Sequence, residues 1–135
     1  MSLFNRVLTA PGSSMPAVSR AGDGLFSRVA ISSVATDTAL TMTVAQMAGG
    51  MVQYTGFTAG RAVTTPTAAL ILAAAPDMDI GDSFQIIVSV VPAFAATWTA
   101  GVGVTLAGRA TTPASSWSIV TITKTGAAAV NWNVT

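Results

Sequence analysis

Apolar and polar side chains alternate over several short stretches of the chain, which is the period of half-buried β-strands. The strongest stretch is 83–91, where every second residue from Phe84 onward is large and apolar. The opposite face carries Gln85 and Ser89 but also Ile87, so both faces of this strand are expected to be partly covered. Similar stretches, separated by glycines and prolines, occupy 40–43, 51–55, 96–100, 102–106, 116–123 and 130–134. This pattern predicts a mainly β domain, a sandwich or a jelly-roll-like fold.

Two short segments favour a helix instead. Thr43 can cap a single turn over 44–48, which two glycines close. Thr65 is the expected N-cap of a second helix over 66–75, whose first residue is proline and whose remainder is rich in alanine and leucine. Pro76 ends it, because the residue before a proline is disfavoured in the helical region. One or two short helices are therefore expected within the β domain.

The N-terminal region differs from the rest of the chain. The proline- and glycine-rich segment 11–16 separates an apolar cluster around Arg6 from Arg20, Arg28 and a second leucine–phenylalanine pair. A frayed terminus is one interpretation. An extended arm that docks on a partner explains the apolar pairs better, because solvated tails rarely carry them. The chain is therefore divided into an N-terminal arm, 1–35, and a β-rich oligomerisation domain, 36–135.

The low charge bears on what surrounds the domain. Charged residues make up 8% of the sequence, with six basic and five acidic side chains and a net charge of +1, against a usual charged share of about 25%. A neutral, threonine-rich solvent surface is one explanation. The other is that much of the surface is buried against further copies of the chain or a partner. A near-neutral chain has no basic footprint for phosphates, so no nucleic acid is expected as a partner.

The hydrophobic segments are too short to suggest a membrane protein, although the mean hydropathy is +0.63. The longest apolar run, 68–76, meets Asp77 at once, and the run 84–96 is interrupted by Gln85, Ser89 and Pro92. Neither reaches the ~20 residues that a membrane-spanning helix needs. No signal peptide is expected at the N-terminus, and no membrane is expected as a partner.

The residue types that carry most catalysis are scarce. The sequence has no histidine and no cysteine, which excludes Ser–His and Cys–His nucleophiles and imidazole or thiolate metal sites. A calcium site is one interpretation of the three closely spaced aspartates Asp77, Asp79 and Asp82. However, a calcium loop of the EF-hand type requires an acidic residue at its twelfth position, which is Val88 here. A turn in which Asp82 caps backbone N–H groups is expected instead. We therefore expect no enzyme activity, cofactor or metal site.

Large apolar side chains supply candidates for contacts between copies. The alanine-rich helix is apolar on nearly all sides, so it is expected to pack against a sheet or a neighbouring copy. The three tryptophans all fall in predicted strands, where core or interface packing is the expected role. The candidate interface residues are Leu70, Leu72, Trp98 and Trp117.

Four short motifs in a fixed order resemble a known family. They are Ala-Gln-Met-Ala-Gly-Gly at 45–50, Thr-Pro-Thr-Ala at 65–68, Gly-Asp-Ser-Phe at 81–84 and Gly-Val-Gly-Val-Thr-Leu-Ala-Gly at 101–108. Within 40–108, about half of the chain, their order resembles the capsid decoration (cement) and head-fibre proteins of tailed bacteriophages.

This resemblance implies a virion structural protein that forms homotrimers on the outside of the phage head, after assembly in the host cytoplasm. It implies no catalysis, and it implies that the N-terminal region contacts the major capsid protein. Aromatic and arginine side chains are common anchors of protein interfaces. The candidate capsid contacts are Leu3, Phe4, Arg6, Leu8 and Arg20.

Two further functions are compatible with the sequence. A receptor- or glycan-binding fibre tip would require Trp98, Trp117 or Trp132 to be exposed for stacking on sugar rings. An enzyme that uses aspartates would require two carboxylates about 5–10 Å apart in a cleft, and only the aspartates of 77–82 are close enough in sequence to suggest this.

Overall fold

The computed structural model describes residues 29–135. In this part of the chain, ten strands and two short helices follow one another. They are β1 (Ala30–Val34), β2 (Leu40–Thr41), α1 (Val44–Met47), β3 (Gly50–Tyr54), β4 (Arg61–Thr64), α2 (Ala68–Ala74), β5 (Ser83–Val90), β6 (Ala96–Thr99), β7 (Val104–Gly108), β8 (Thr111–Thr112), β9 (Ser116–Gly126) and β10 (Ala129–Val134). The predicted mainly β class is confirmed.

The strands form two sheets that pack as a sandwich. A six-stranded sheet has the order β1-β3-β5-β9-β10-β7, and a four-stranded sheet has the order β2-β4-β6-β8. Most neighbouring pairs are parallel; the antiparallel pairs are β5–β9, β9–β10 and β6–β8. Since jelly rolls are antiparallel, the structure is the sandwich, the first of the two folds that the sequence left open.

The core lies between the two sheets and is filled by every second residue of their strands. On β5 these are Phe84, Ile86, Val88 and Val90, the face that the alternation predicted. The rings of Trp98 and Trp132 lie 5.5 Å apart at an angle of 53°. Fully buried large side chains include Trp132, Tyr54, Ile122, Val52, Val63, Val120, Val130 and Val134. Such burial contributes about 1.5–3 kcal/mol for each large aliphatic side chain.

The first helix begins as the sequence predicts. The hydroxyl of Thr43 accepts a hydrogen bond from the backbone N–H of Gln46, whose side chain accepts one from the backbone N–H of Thr43. This reciprocal capping box satisfies two donors that a helix start leaves free.

The second helix begins two residues later than predicted. Its N-cap is Thr67, which accepts from the backbone N–H of Leu70, and not Thr65. Thr65 is buried, and its hydroxyl is already hydrogen-bonded: it accepts from the backbone N–H of Gly101 and donates to the carbonyl of Pro66. A residue engaged by a distant loop in this way is not free to cap the helix that follows it.

The domain begins earlier than the predicted boundary at residue 35. Residues 30–34 form β1, which pairs in parallel with β3 over its whole length. The predicted arm therefore overlaps the sheet, and 30–34 belong to the β domain. The sequence did not reveal this strand, since β1 lies at a sheet edge and buries only Val34 well. The remainder of the predicted arm, 1–28, lies outside the described residues.

An ionic contact ties the loop before β2 to the loop before β4. Asp37 accepts hydrogen bonds from the N–H of Thr58 at 2.8 Å and from Nε of Arg61 at 2.9 Å, and Nη2 of Arg61 lies 2.9 Å from the same oxygen. The hydroxyl of Thr58 donates to the other carboxylate oxygen. These contacts hold the pKa of Asp37 well below its usual range. The hydrogen bond from the Arg61 guanidinium has the largest effect, followed by those from Thr58.

This contact makes the stability depend on pH in acid. The pKa of Asp37 is lower in the folded than in the unfolded state. The contact therefore contributes its full stabilisation above the unfolded pKa of about 3.9, and this stabilisation is lost as the pH falls through the folded pKa. We expect Asp37→Asn to lower the melting temperature modestly at pH 7, since the contact is partly exposed. The difference from the wild type should shrink below about pH 4. Thermal unfolding between pH 2 and 7 measures this, and a constant difference would contradict it.

Candidate assembly surface

The face of the six-stranded sheet that points away from the core carries no charged side chain. We call it the outer face, and the strand register defines it. Its residues are Ile31, Ser33, Met51, Gln53, Ser83, Gln85, Ile87, Ser89, Thr105, Ala107, Trp117, Ile119, Thr121, Thr123, Asn131 and Asn133. A solvent-facing sheet surface of this size normally mixes in several charges.

An apolar row crosses four neighbouring strands of the outer face. Ile31 of β1 is in register with Met51 of β3, which is in register with Ile87 of β5, which is in register with Ile119 of β9. In-register residues on adjacent strands have neighbouring side chains on the same face. These four side chains therefore form a continuous apolar strip across the sheet, which we call the apolar row.

A second row, beside the first, ends in an exposed tryptophan. Ser33, Gln53, Ser89 and Trp117 are in register across the same four strands. Trp117 is 60% exposed, and Ile31 in the apolar row is 57% exposed. Met51, Ile87 and Ile119, which connect these two positions, are partly exposed. Continuous apolar surface that stays accessible in this way marks sites that bind something.

The charges of residues 29–135 lie away from the outer face, in loops or near strand ends. They are Asp37, Arg61, Asp77, Asp79, Asp82, Arg109 and Lys124. Lys124 is near the end of β9, an interior strand, and its Nζ donates to the carbonyl of Met78 at 2.7 Å. It therefore fixes the loop that follows α2.

The predicted turn at 77–82 is confirmed. The carboxylate of Asp82 accepts a hydrogen bond from the backbone N–H of Asp79 at 2.9 Å, as expected for a capping aspartate. Over residues 29–135 the structure shows no group of three or more acidic side chains that could hold a metal ion. The arrangement at 77–82 is that of a loop stabilised by its own side chain and by Lys124.

The four residues predicted for contacts between copies lie in different environments. Trp117 is on the outer face, and Leu70 is 59% exposed on α2. Leu72 is partly buried against the core. The prediction for Trp98 is wrong: it is 5% exposed, and its Nε1 donates to Thr112 at 3.2 Å inside the core. Strand β6 places the Trp98 indole between the two sheets, where it is not accessible to another copy of the chain.

A second apolar feature lies at one end of the sandwich. Leu70 and the 81% exposed Val102 border a groove that 41–44, 64–67 and 100–102 line. This groove is on different elements from the outer face, so the structure does not bring Leu70 and Trp117 into one surface.

Most of the outer face is not evident from the sequence. The sequence pattern assigns Ile31 to the arm and does not distinguish Met51 or Ile119 from other strand residues. The one available signal is Ile87, an apolar residue on the opposite face of its strand from Phe84, Ile86 and Val88. The apolar row itself depends on which strands are neighbours and in which register, and no local pattern contains that information.

The candidate capsid contacts Leu3, Phe4, Arg6, Leu8 and Arg20 lie outside the described residues, so their role stays a prediction.

Neither helix in 29–135 has the length and apolarity needed to cross a membrane. In comparisons with known proteins, no family model, curated protein or solved structure matches the chain.

Proposed function

We propose that this protein is a virion structural protein that decorates and stabilises the outer surface of a tailed-phage capsid. It assembles with copies of itself, as a trimer by its resemblance to decoration proteins, and binds the major capsid protein through its N-terminal region. It carries out no chemical reaction.

The observation that carries the proposal is the uncharged outer face. A free protein in water gains nothing from an apolar row flanked only by neutral side chains. A protein held in a layer on a shell gains roughly 25 cal/mol for each Å² of apolar surface that it buries there. Repetition of a modest contact over many sites of a shell yields a large total resistance to rupture.

Binding to phage heads tests the proposal directly. Heads purified from a phage mutant that lacks this chain are mixed with the full-length protein and sedimented. We expect the protein to sediment with the heads and to raise the temperature at which they release DNA. A chain that stays in the supernatant at all concentrations contradicts the proposed function.

The role of the N-terminal region is tested by a triple variant, Phe4→Ala, Arg6→Ala and Leu8→Ala. If these side chains anchor the protein on the capsid, head binding weakens at least about thirtyfold, as for interface anchors worth about 2 kcal/mol or more. Ser2→Ala and Asn5→Ala in the same segment are the matched control and should bind as the wild type does. Equal binding by the triple variant would refute this role.

One observation favours a second function, recognition of a glycan. Trp117 is 60% exposed and lies beside Ser89, with Gln53 one strand further along the same row. Both polar side chains are able to form hydrogen bonds with sugar hydroxyls. The other two tryptophans are buried, so only Trp117 could stack on a sugar ring. A glycan array with the wild type and with Trp117→Ala separates the two functions. Binding that Trp117→Ala abolishes favours recognition, and an empty array leaves decoration as the better account.

A further inference from the structure

We propose that the outer face is the surface through which copies of this chain bind one another, with the apolar row at the centre of the contact. The inference deepens the proposed function: it rests on the self-assembly in that function but does not require the capsid.

The size of the outer face suits a stable contact between proteins. Six strands at about 4.8 Å spacing give a width of about 29 Å, and strands of about six residues give a length of about 20 Å. The resulting area of roughly 600 Å², enlarged by projecting side chains, approaches the ~800 Å² that each partner buries in a standard interface.

The chemistry of the face selects a partner like itself. All sixteen outer-face residues are uncharged, so this face offers no ion pair to an acidic or a basic partner surface. A second copy brings the same apolar row, and its flanking hydroxyl and amide side chains each donate and accept hydrogen bonds. Identical neutral faces can therefore satisfy one another, whether two meet across a twofold axis or three meet around a threefold axis, whereas identical charged faces would repel.

The arrangement of the face agrees with this partner. The apolar row runs from the edge strand β1 to the interior strand β9. Mostly polar rows flank it on both sides, with Ser33, Gln53 and Ser89 on one side and Gln85 and Thr121 on the other. Apolar side chains flanked by polar ones are the usual anatomy of a contact between proteins.

The experiment measures the mass of the full-length chain by light scattering over a concentration series. Trp117→Lys and Ile31→Lys each place a charge on the outer face at a side chain that is already more than half exposed, so folding should survive. Val102→Lys, at an 81% exposed position off the face, is the matched control. Circular dichroism and thermal unfolding show that each variant is folded.

We expect the wild type and Val102→Lys to have the mass of two or more chains. Both outer-face variants should fall towards the 13.6 kDa of a single chain, with self-association weakened at least about a hundredfold by an unpaired buried charge. The wild-type mass should also change little between low and high salt, because no ion pair contributes.

A wild type that is a single chain at every concentration overturns the inference, as does an outer-face variant that is folded and still assembled. Wild-type self-association with no binding to phage heads would refute the capsid role and leave this inference standing.

Discussion

Trp132→Ala is expected to lower the free energy of unfolding by about 3–5 kcal/mol, as for other large aromatic side chains removed from a core. Trp132 is fully buried on β10, which lies between β9 and β7, and its ring contacts that of Trp98. Its loss leaves a cavity that a rigid sheet cannot close. Since a domain of this size has a stability of about 5–15 kcal/mol, this loss is a large fraction of the total.

Denaturant unfolding, followed by circular dichroism, measures the effect. Trp132→Phe is the matched control, because the indole Nε1 of Trp132 is buried without a hydrogen-bond partner. Phenylalanine loses volume there but no hydrogen bond, so this variant should be clearly more stable than the alanine variant. Trp98→Phe, in contrast, also removes the bond to Thr112. A loss below about 1 kcal/mol for Trp132→Ala would show that the two sheets do not pack as described.

Gly108→Ala is expected to be the most damaging glycine substitution tested. Gly108, at the end of β7, has φ +76°, a conformation that costs other residues about 1–3 kcal/mol. An added Cβ would also collide with the carbonyl oxygen of Val134 and the side-chain oxygen of Asn133. That carbonyl accepts the N–H of Arg109 at 2.8 Å, where β7 leaves the sheet beside β10. The collision therefore adds to the conformational cost.

Gly81→Ala separates the two contributions. Gly81 has φ +100°, but an added Cβ there meets nothing within 4 Å, so only the backbone term of about 1–3 kcal/mol applies. We expect the melting temperature to fall distinctly further for Gly108→Ala than for Gly81→Ala. If the melting temperature falls equally for the two variants, the backbone around Gly108 adjusts to the added Cβ at little cost. The close approach of β7 to β10 would then not be important for stability.

Several features of the fold follow from local sequence. The alternation in 83–91 correctly placed Phe84, Ile86, Val88 and Val90 on one face of β5, because the side chains of a strand alternate whatever its neighbours are. The capping box of Thr43 and Gln46 is likewise local, as is the end of α2 before Pro76. The turn at 77–82, with Asp82 as its cap, belongs to the same group.

The errors arose where a distant part of the chain competes with a local preference. Thr65 is a residue type that often caps helices, but its hydroxyl accepts a hydrogen bond from the backbone N–H of Gly101, and Thr67 caps α2 instead. Residues 30–34 show a weak strand pattern, and only pairing with β3 makes them a strand. In each case the deciding contact is made by a residue far away in sequence.

The sequence by itself determined that the protein is mainly β, low in charge and without histidine or cysteine, since these are properties of composition and of period-two patterning. Only the tertiary structure decided that Trp98 and Trp132 are core while Trp117 is exposed, although all three lie in strands. It also aligned Ile31 with Ile119 in one row. The physical reason is that alternation gives each strand two faces, but which face is buried, and beside which neighbour, depends on strand order and register.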